Sequence, residues 1–443
     1  MLTLLKLIAE PLIKLPFVVS LLFFLSVLEN NQSLAMSLEE ALPNAIVNSP
    51  KIRSSRSKVS VTRESLRQVY SNYLPTVLID LTRGRERDSA VITETGSRNA
   101  EITEPETAKI SMSLNLYRGG KTSIEIKEAE NKISADVASL KSDIQNIVLE
   151  AALAYSGHYK NIKSRALNQN NKLVLKALLD VATARSKFGE VSETDVYQAK
   201  ARYADAVAKE IKSEGDFLIS KNKFESVFGV KATELVEPSP LKIEYTDLNV
   251  LLSVATPNNL KLVQLRELQK AANNNVRKLK RDLLPTVKLD SDYTRGIEVS
   301  NPYSESRSAK FVVALSMPLY RGGNSYSKIR QATHSAQKAD DDYAQALKDT
   351  KQEVIQAWFS YKTAQSQIIA LKEAALSSKM ALSAIKKEAD VGSRAFVEVL
   401  DAEQELLESN VSLLGAKNEM LAATYTIKQV SGQLIPEGIE ITK

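Results

Sequence analysis

Few residues of this chain have the types and spacing that bond-making chemistry requires. There is no cysteine, and the only histidines are His158 and His334. Thiol nucleophiles, cysteine-based zinc sites and disulfide scaffolds are excluded, and a Ser–His–Asp hydrolase would have to use one of two imidazoles. The string GGKT at residues 119–122 has half the pattern of a phosphate loop. The earlier glycine of that pattern falls at Asn115, however, and the second copy of the string reads GGNS. Asp340, Asp341 and Asp342 run together without calcium-loop spacing and read as a solvated helix face. What remains is a set of groups beside two short turns: Thr194 and Asp195 after one, Arg394, Glu398 and Asp401 after the other. A spacing of three puts Glu398 and Asp401 on one helix face. Such groups pair ions and shape fields; taken alone, they read first as ordinary solvated helix charges. The chain is therefore read as a non-enzyme with no cofactor and no metal.

The elements that must position these groups form a repeat. The string LYRGG occurs at residues 116–120 and 319–323, an offset of 203. Downstream the offset holds: Glu150 aligns with Glu353, Tyr155 with Trp358, Gly189 with Gly392, Ala199 with Ala402 and Gly229 with Gly432. Upstream, LPTV at residues 74–77 aligns with 284–287 at an offset of 210, so seven extra residues lie between the motifs of the first half. Two structural repeats follow, 36–240 and 241–443. Residues 121–187 hold no Pro and only Gly157, and residues 324–390 hold neither Pro nor Gly. Each stretch reads as one helix of 67 residues, about 100 Å long. The seam Ile133, Val137, Leu140, Ile144, Ile147, Ala151, Ala154 steps by four and three, as does its copy from Ala336 to Leu371. A seven-residue period means supercoiled helices. His158 falls on this seam and reads as a packed histidine. Gly189 and Gly392 are expected to cap the long helices, with Ser192 and Ser393 as N-caps of partner helices over 191–229 and 394–432.

Near the motifs the period changes to two. Val77, Ile79 and Leu81 alternate with Asp80 and Thr82; Ile110, Met112, Leu114 and Leu116 alternate with Ser111, Ser113 and Asn115. Val287, Leu289 and Tyr293 alternate with Lys288, Asp290 and Asp292, and Phe311, Val313, Leu315, Met317 and Leu319 line one face. This predicts strands at about 76–86, 107–117, 286–296 and 308–320, each pair joined by a polar loop, 84–106 and 296–308. Tyr117 and Tyr320 end strands, where they fit an interfacial belt or simple packing. Four strands cannot close a barrel, and lipid tolerates no open edge, so copies must pool their strands.

The N-terminus reads as a leader. Lys6 and Lys14 precede an apolar run over 17–28, and Ser33-Leu34-Ala35 supplies the small residues of a cleavage site, giving a signal peptide over 1–35. The formal charge is +6 on 443 residues, with the charges interspersed, so nucleic acid is not an expected partner.

The LYRGG junctions, the repeat, the paired long helices and the turns FGEVSETDV (188–196) and VGSRAFVEVLDA (391–402) closely resemble the TolC family of trimeric outer-membrane channels. The resemblance spans essentially the whole mature chain. It implies a mixed α/β membrane protein: long helices forming a periplasmic α-barrel, and four strands per protomer given to a twelve-stranded trimeric β-barrel in outer-membrane lipid. It implies an export duct for type I secretion or efflux, working with a periplasmic adaptor and an inner-membrane ABC- or RND-type pump. Efflux-type relatives often carry a lipid anchor on an N-terminal cysteine, which this sequence does not offer. In the family the turns lie at the periplasmic mouth. Thr194 and Asp195 match the pair on the first hairpin, Arg394 the arginine that links the hairpins, and Glu398 and Asp401 two acidic positions ringing the constriction. Arg394 is thus expected to reach the Thr194–Asp195 region, and six carboxylates to crowd one mouth and favour cations. The tips at Gly189, Val191, Gly392 and Ser393 are expected to receive the adaptor. Two positions depart from the pattern: the gate tyrosine is Ala389, and Glu398 replaces the usual Asp. The competing reading is a periplasmic coiled-coil adaptor or scaffold, whose β-domains would need no outward apolar band.

Overall fold

In the computed structural model, residues 36–92, 98–232, 234–299 and 303–435 are described; the leader assigned to residues 1–35 lies outside them. Each half opens with a helix pair broken at a sequence-encoded corner. Helix α1 (Leu38–Asn48) starts at a capping box: Ser37 N–H donates to Glu40 Oε2 at 2.9 Å and Glu40 N–H to Ser37 Oγ at 3.3 Å. Pro50 then forces the break before α2 (Pro50–Tyr70). The chain continues through β1 (Thr76–Arg83), β2 (Glu86–Ile92), β3 (Arg98–Thr103), β4 (Glu106–Arg118), α3 (Lys121–Lys187) and α4 (Glu193–Phe228). The second half has α5 (Leu248–Asn258), α6 (Leu260–Lys280), β5 (Thr286–Ile297), β6 (Glu305–Ser316), α7 (Asn324–Asp390) and α8 (Phe396–Val430). Helices α3 and α7 are both 67 residues long.

The strands form one antiparallel sheet in the order β1-β4-β5-β6, so β1 and β6 are its edges. The register puts Ile110 between Ile79 and Tyr293, and Leu289 between Leu114 and Val313. One face thus carries Val77, Ile79, Leu81, Ile110, Val313, Leu315 and Phe311, all exposed to a degree unusual for such side chains; Leu81 is 76% and Phe311 77% exposed. The opposite face carries Asp80, Lys109, Asp290, Asp292 and Lys310, with Lys109–Asp292 at 3.2 Å and Ser113 Oγ donating to Asp290 at 2.7 Å. The apolar face ends in charge: Arg83 pairs with Glu106 at 3.2 Å, and Glu305 with Arg295 and Arg307 at 3.0 and 2.9 Å. An apolar band closed off by ion pairs is the outer surface of a lipid-facing strand set.

Four expected strand boundaries move. The first strand stops at Arg83, where Gly84 N–H donates to Pro105 O at 2.9 Å. Beyond it, residues expected to be loop form β2 and β3, a separate antiparallel pair that prolongs the β1–β4 ribbon. Likewise β5 and β6 run to Ile297 and from Glu305, shortening the second loop. The last strand ends at Ser316 rather than near 320, because Pro318 has no N–H to give the ladder.

The sheet passes into the helices through an ionic collar. Lys121, in the string weighed as half a phosphate loop, pairs with Asp282 at 2.7 Å, and Arg118 with Glu125 at 3.0 Å. Glu128 is buried between Lys132 and Lys278, each 2.7 Å away. Burial alone would raise its carboxyl, but the two ammonium groups outweigh that and hold it below the usual range.

Below the collar α3 packs on α2 and α6, then on α4 and α8; α7 packs on α6, then on α8. The seams are largely Ala: Ala135, Ala138, Ala151 and Ala154 in α3, and Ala336, Ala346, Ala357 and Ala364 in α7, are buried. Of the expected seam, Leu140 and Ile144 are buried, and Ile133, Val137 and Ile147 half-buried. Aromatics thicken the waist. Phe224 and Phe228 lie 4.4 Å apart beside Tyr155, and His158 packs on Phe217 and Phe224 with Nδ1 3.0 Å from Ser220 Oγ. His158 is the packed residue expected, and burial pushes its pKa down. The Tyr155 hydroxyl lies 2.6 Å from Met36 O and 2.8 Å from Val236 O, and burial raises it to about 12.

Each hairpin ends against a helix corner of its own half. Gly229 meets the side chain of Asn48, whose Nδ2 donates to Phe228 O at 2.9 Å; Gly432 meets the backbone of Asn258, and Asn259 Nδ2 donates to Val430 O at 3.0 Å. Both glycines have positive φ. A Cβ at Gly432 would sit 2.2 Å from Asn258 O, whereas one at Gly229 would meet only the movable amide of Asn48. Gly432→Ala is therefore expected to cost more than Gly229→Ala. The left-handed conformation costs both about 1–3 kcal/mol, and only the former adds a backbone collision. Thermal unfolding of the two purified variants should rank them in that order.

Candidate functional site at the helical hairpin tips

The two tips have the same ancestry but different local chemistry. Helix α3 closes with Gly189 at φ +74°, and Glu190 N–H returns to Arg185 O at 3.1 Å. Ser192 then caps α4: its Oγ accepts from Asp195 N–H at 3.2 Å, while Asp195 Oδ2 accepts from Ser192 N–H at 3.1 Å. Helix α7 closes similarly with Gly392 at φ +78°. Ser393, however, is not the expected N-cap. Its Oγ donates backward to Glu388 O at 2.9 Å, and α8 begins three residues later at Phe396. Ala395 occupies the cap position and has no oxygen to offer. Glu398 compensates in part by accepting Ala395 N–H at 3.4 Å. Asp195 and Glu398 are repeat equivalents, and both turn back onto the start of their own helix.

Arg394 is held locally. Its Nε donates to Glu388 at 2.8 Å and its Nη1 to Glu398 at 2.5 Å. The carboxylates of Glu388 and then Glu398 raise the guanidinium above its ordinary value. The expected contact with the Thr194–Asp195 region is not made within one chain. Two acids within six residues of Arg394 need almost no chain ordering to be reached, whereas Asp195 lies on another hairpin and is already engaged by Ser192. Thr194 itself is exposed.

Asp401 is not a bare carboxylate either. Arg202 of α4 donates to it through Nη2 at 2.6 Å, and through Nη1 to Gln404 at 2.6 Å. In each chain, the two carboxylates expected to ring the mouth are each paired with a guanidinium, Glu398 with Arg394 and Asp401 with Arg202. Sequence reasoning missed Arg202, Gln404 and Glu388. The available signal was Arg202 lying seven residues past Asp195, just as Asp401 lies seven past Arg394. It also missed Phe188 and Val391, repeat equivalents that stand 82% and 79% exposed beside Gly189 and Gly392. At the tips Val191 is half-buried and Ser393 exposed. Asp340 and Asp342, of the triple aspartate, accept from Gln269 at 2.9 Å and Lys338 at 2.7 Å.

Comparison with known proteins agrees with this architecture. Residues 41–230 and 251–433 match the profile of the family described as outer membrane efflux protein. Outer membrane efflux protein BepC of Brucella suis is 23% identical over 421 residues, covering 94% of this chain and 90% of its own length. Outer membrane protein TolC of Escherichia coli K12 is 26% identical over 422 residues, covering 91% and 83%. The crystal structure of the Campylobacter jejuni CmeC outer membrane channel superposes with a TM-score of 0.80 at 14% identity, covering 91% of this chain and 87% of that one. At that identity the superposition speaks for the fold.

The unequal caps predict unequal tip stability. Ser192→Ala removes an oxygen that holds the first turn of α4 and is expected to cost about 1 kcal/mol locally. The α8 start has no such oxygen to lose, so Ser393→Ala should leave its first turn unchanged. Amide exchange measured by mass spectrometry over residues 193–197 and 396–400 reads both.

Proposed function

The chain belongs to the outer membrane efflux protein family, and from that premise we propose that three copies form one continuous duct across outer membrane and periplasm. The chain is an outer-membrane export channel with a helical periplasmic portion. The observation that carries the assembly is the sheet: four antiparallel strands, an apolar outward face and two open edges, β1 and β6. Strand directions alternate, so β6 of one copy meets β1 of the next in antiparallel sense. Three copies give twelve strands and close the ring. The polar face with Asp290, Asp292, Lys109 and Lys310 lines the lumen. Family membership favours this reading over a periplasmic adaptor.

The duct works with a periplasmic adaptor and an inner-membrane pump of ABC or RND type. The tips are its docking and closing end. Gly189, Val191, Gly392 and Ser393, with the exposed Phe188 and Val391, offer apolar contacts to the adaptor's helices. Thr194, Asp195, Arg394, Glu398 and Asp401 form the periplasmic gate. Arg394 stiffens its own turn through Glu388 and Glu398 and stands ready for the Thr194–Asp195 region of a neighbouring copy.

Native mass measurement of protein extracted from outer membranes should give three chains, and a stable monomer would refute the assembly. In planar bilayers, Arg394→Glu should repel Glu388 and Glu398, loosen the turn and raise single-channel conductance at least about twofold by shifting a closed–open balance. Wild-type conductance from assembled trimers would remove Arg394 from the gate.

A further inference from the structure

Helix α8 begins with an unbalanced run of charge. Between Phe396 and Ala416 it carries Glu398, Asp401, Glu403, Glu405 and Glu408 and no Lys or Arg. Like charges along one helix repel, so the compensation must come from other elements. Arg394 in the preceding turn takes Glu398, and Lys386 of α7 takes Glu403 at 2.5 Å. The remaining cations come from α4. Arg202 reaches Asp401 at 2.6 Å, and seven residues on, Lys209 reaches Glu408 at 4.0 Å. Gln404 joins the two rungs: it accepts from Arg202 at 2.6 Å and donates to Glu408 at 2.8 Å. Asp205, one turn from Arg202 and a nearer candidate partner for it, is engaged instead by Lys209 at 2.9 Å. Ala199, Ala206 and Leu400 are buried alongside, with Val196 and Phe396 partly buried, so apolar packing sets the helix spacing and the ladder sets the register.

We propose that Arg202 is a positioning residue for Asp401. With Lys209 on Glu408, it forms a heptad-spaced ion ladder that holds α4 to α8 inside one protomer. By engaging Asp401, the ladder also removes that carboxylate from the field of the periplasmic mouth. The second effect rests on the channel reading given above; the first does not. Because the rungs are half-exposed, the ladder weakens with ionic strength.

Two experiments separate these levels. The natural chain has no cysteine, so R202C/D401C can be probed cleanly with a short bismaleimide in detergent. Joining within one chain, seen as linked peptides in a monomer-sized band, supports the ladder; joining only between chains overturns it. This readout needs no conduction, so a protein that fails to conduct refutes the channel reading and leaves the ladder to be judged on its own. In bilayers with a potassium chloride gradient, Arg202→Gln should shift the reversal potential toward the potassium value and tighten block by a polyvalent cation about tenfold. Arg202→Lys, which keeps the positive partner for Asp401, should restore wild-type selectivity. Wild-type selectivity and block in assembled Arg202→Gln trimers would overturn the proposal.

Discussion

Two unpaired strand edges govern the rest of this molecule. The outer sides of β1 and β6 present backbone donors and acceptors for which the described residues supply no strand, on a sheet whose one face is apolar and exposed. In hydrocarbon each such group costs several kcal/mol if left unmet. The sheet can therefore sit in lipid only as part of a closed ring, and its alternating strand directions are what allow identical copies to close one. The helices inherit that geometry. Each hairpin of strands continues through the Lys121–Asp282 and Glu128–Lys278 collar into a long helix, so a closed ring of strands would hand its curvature down to the helices.

Much of this was legible because it is periodic. Absence of Pro over 121–187 and 324–390 marked the long helices, and the change from a seven-residue to a two-residue period marked the strands. What was not legible depends on single atoms or on distant partners. Ser393 looks like an N-cap in the sequence, but its hydroxyl closes the preceding helix because α8 starts only at Phe396. The strands β2 and β3 lack an apolar alternation because they prolong the ribbon past the ionic edge of the band, where no lipid demands one. Arg202 finds Asp401 across 199 residues of chain, a pairing that no local pattern encodes.

The tips show how a duplicated element can diverge in role. Asp195 and Glu398 occupy equivalent positions, yet one completes a cap and the other mainly holds Arg394. The returning helix of the first half carries Arg202 and Lys209, and that of the second is acidic from Glu398 to Glu408. Two copies of one hairpin thus became complementary surfaces. A duplicated pair with identical charges would repel at this end, where the apolar packing is a small cluster around Ala199, Ala206 and Leu400.

The seven residues that separate the two halves have a consequence for rotational symmetry. They lie in the ribbon that β2 and β3 prolong past Gly84, while the β5–β6 ribbon ends at Ile297. In a ring of three chains, the helical tube is built from six near-equivalent long rods and approximates a sixfold figure. The outward rim cannot, because tall and short ribbons alternate around it like a crown with every second point cut down. In such a ring a soluble molecule approaching from outside would meet a threefold surface, whereas one approaching from the periplasm would meet six similar backbone hairpins whose tips alternate in capping and charge. Within a ring of three chains the two sides of the membrane would therefore face different backbone symmetries built from one polypeptide.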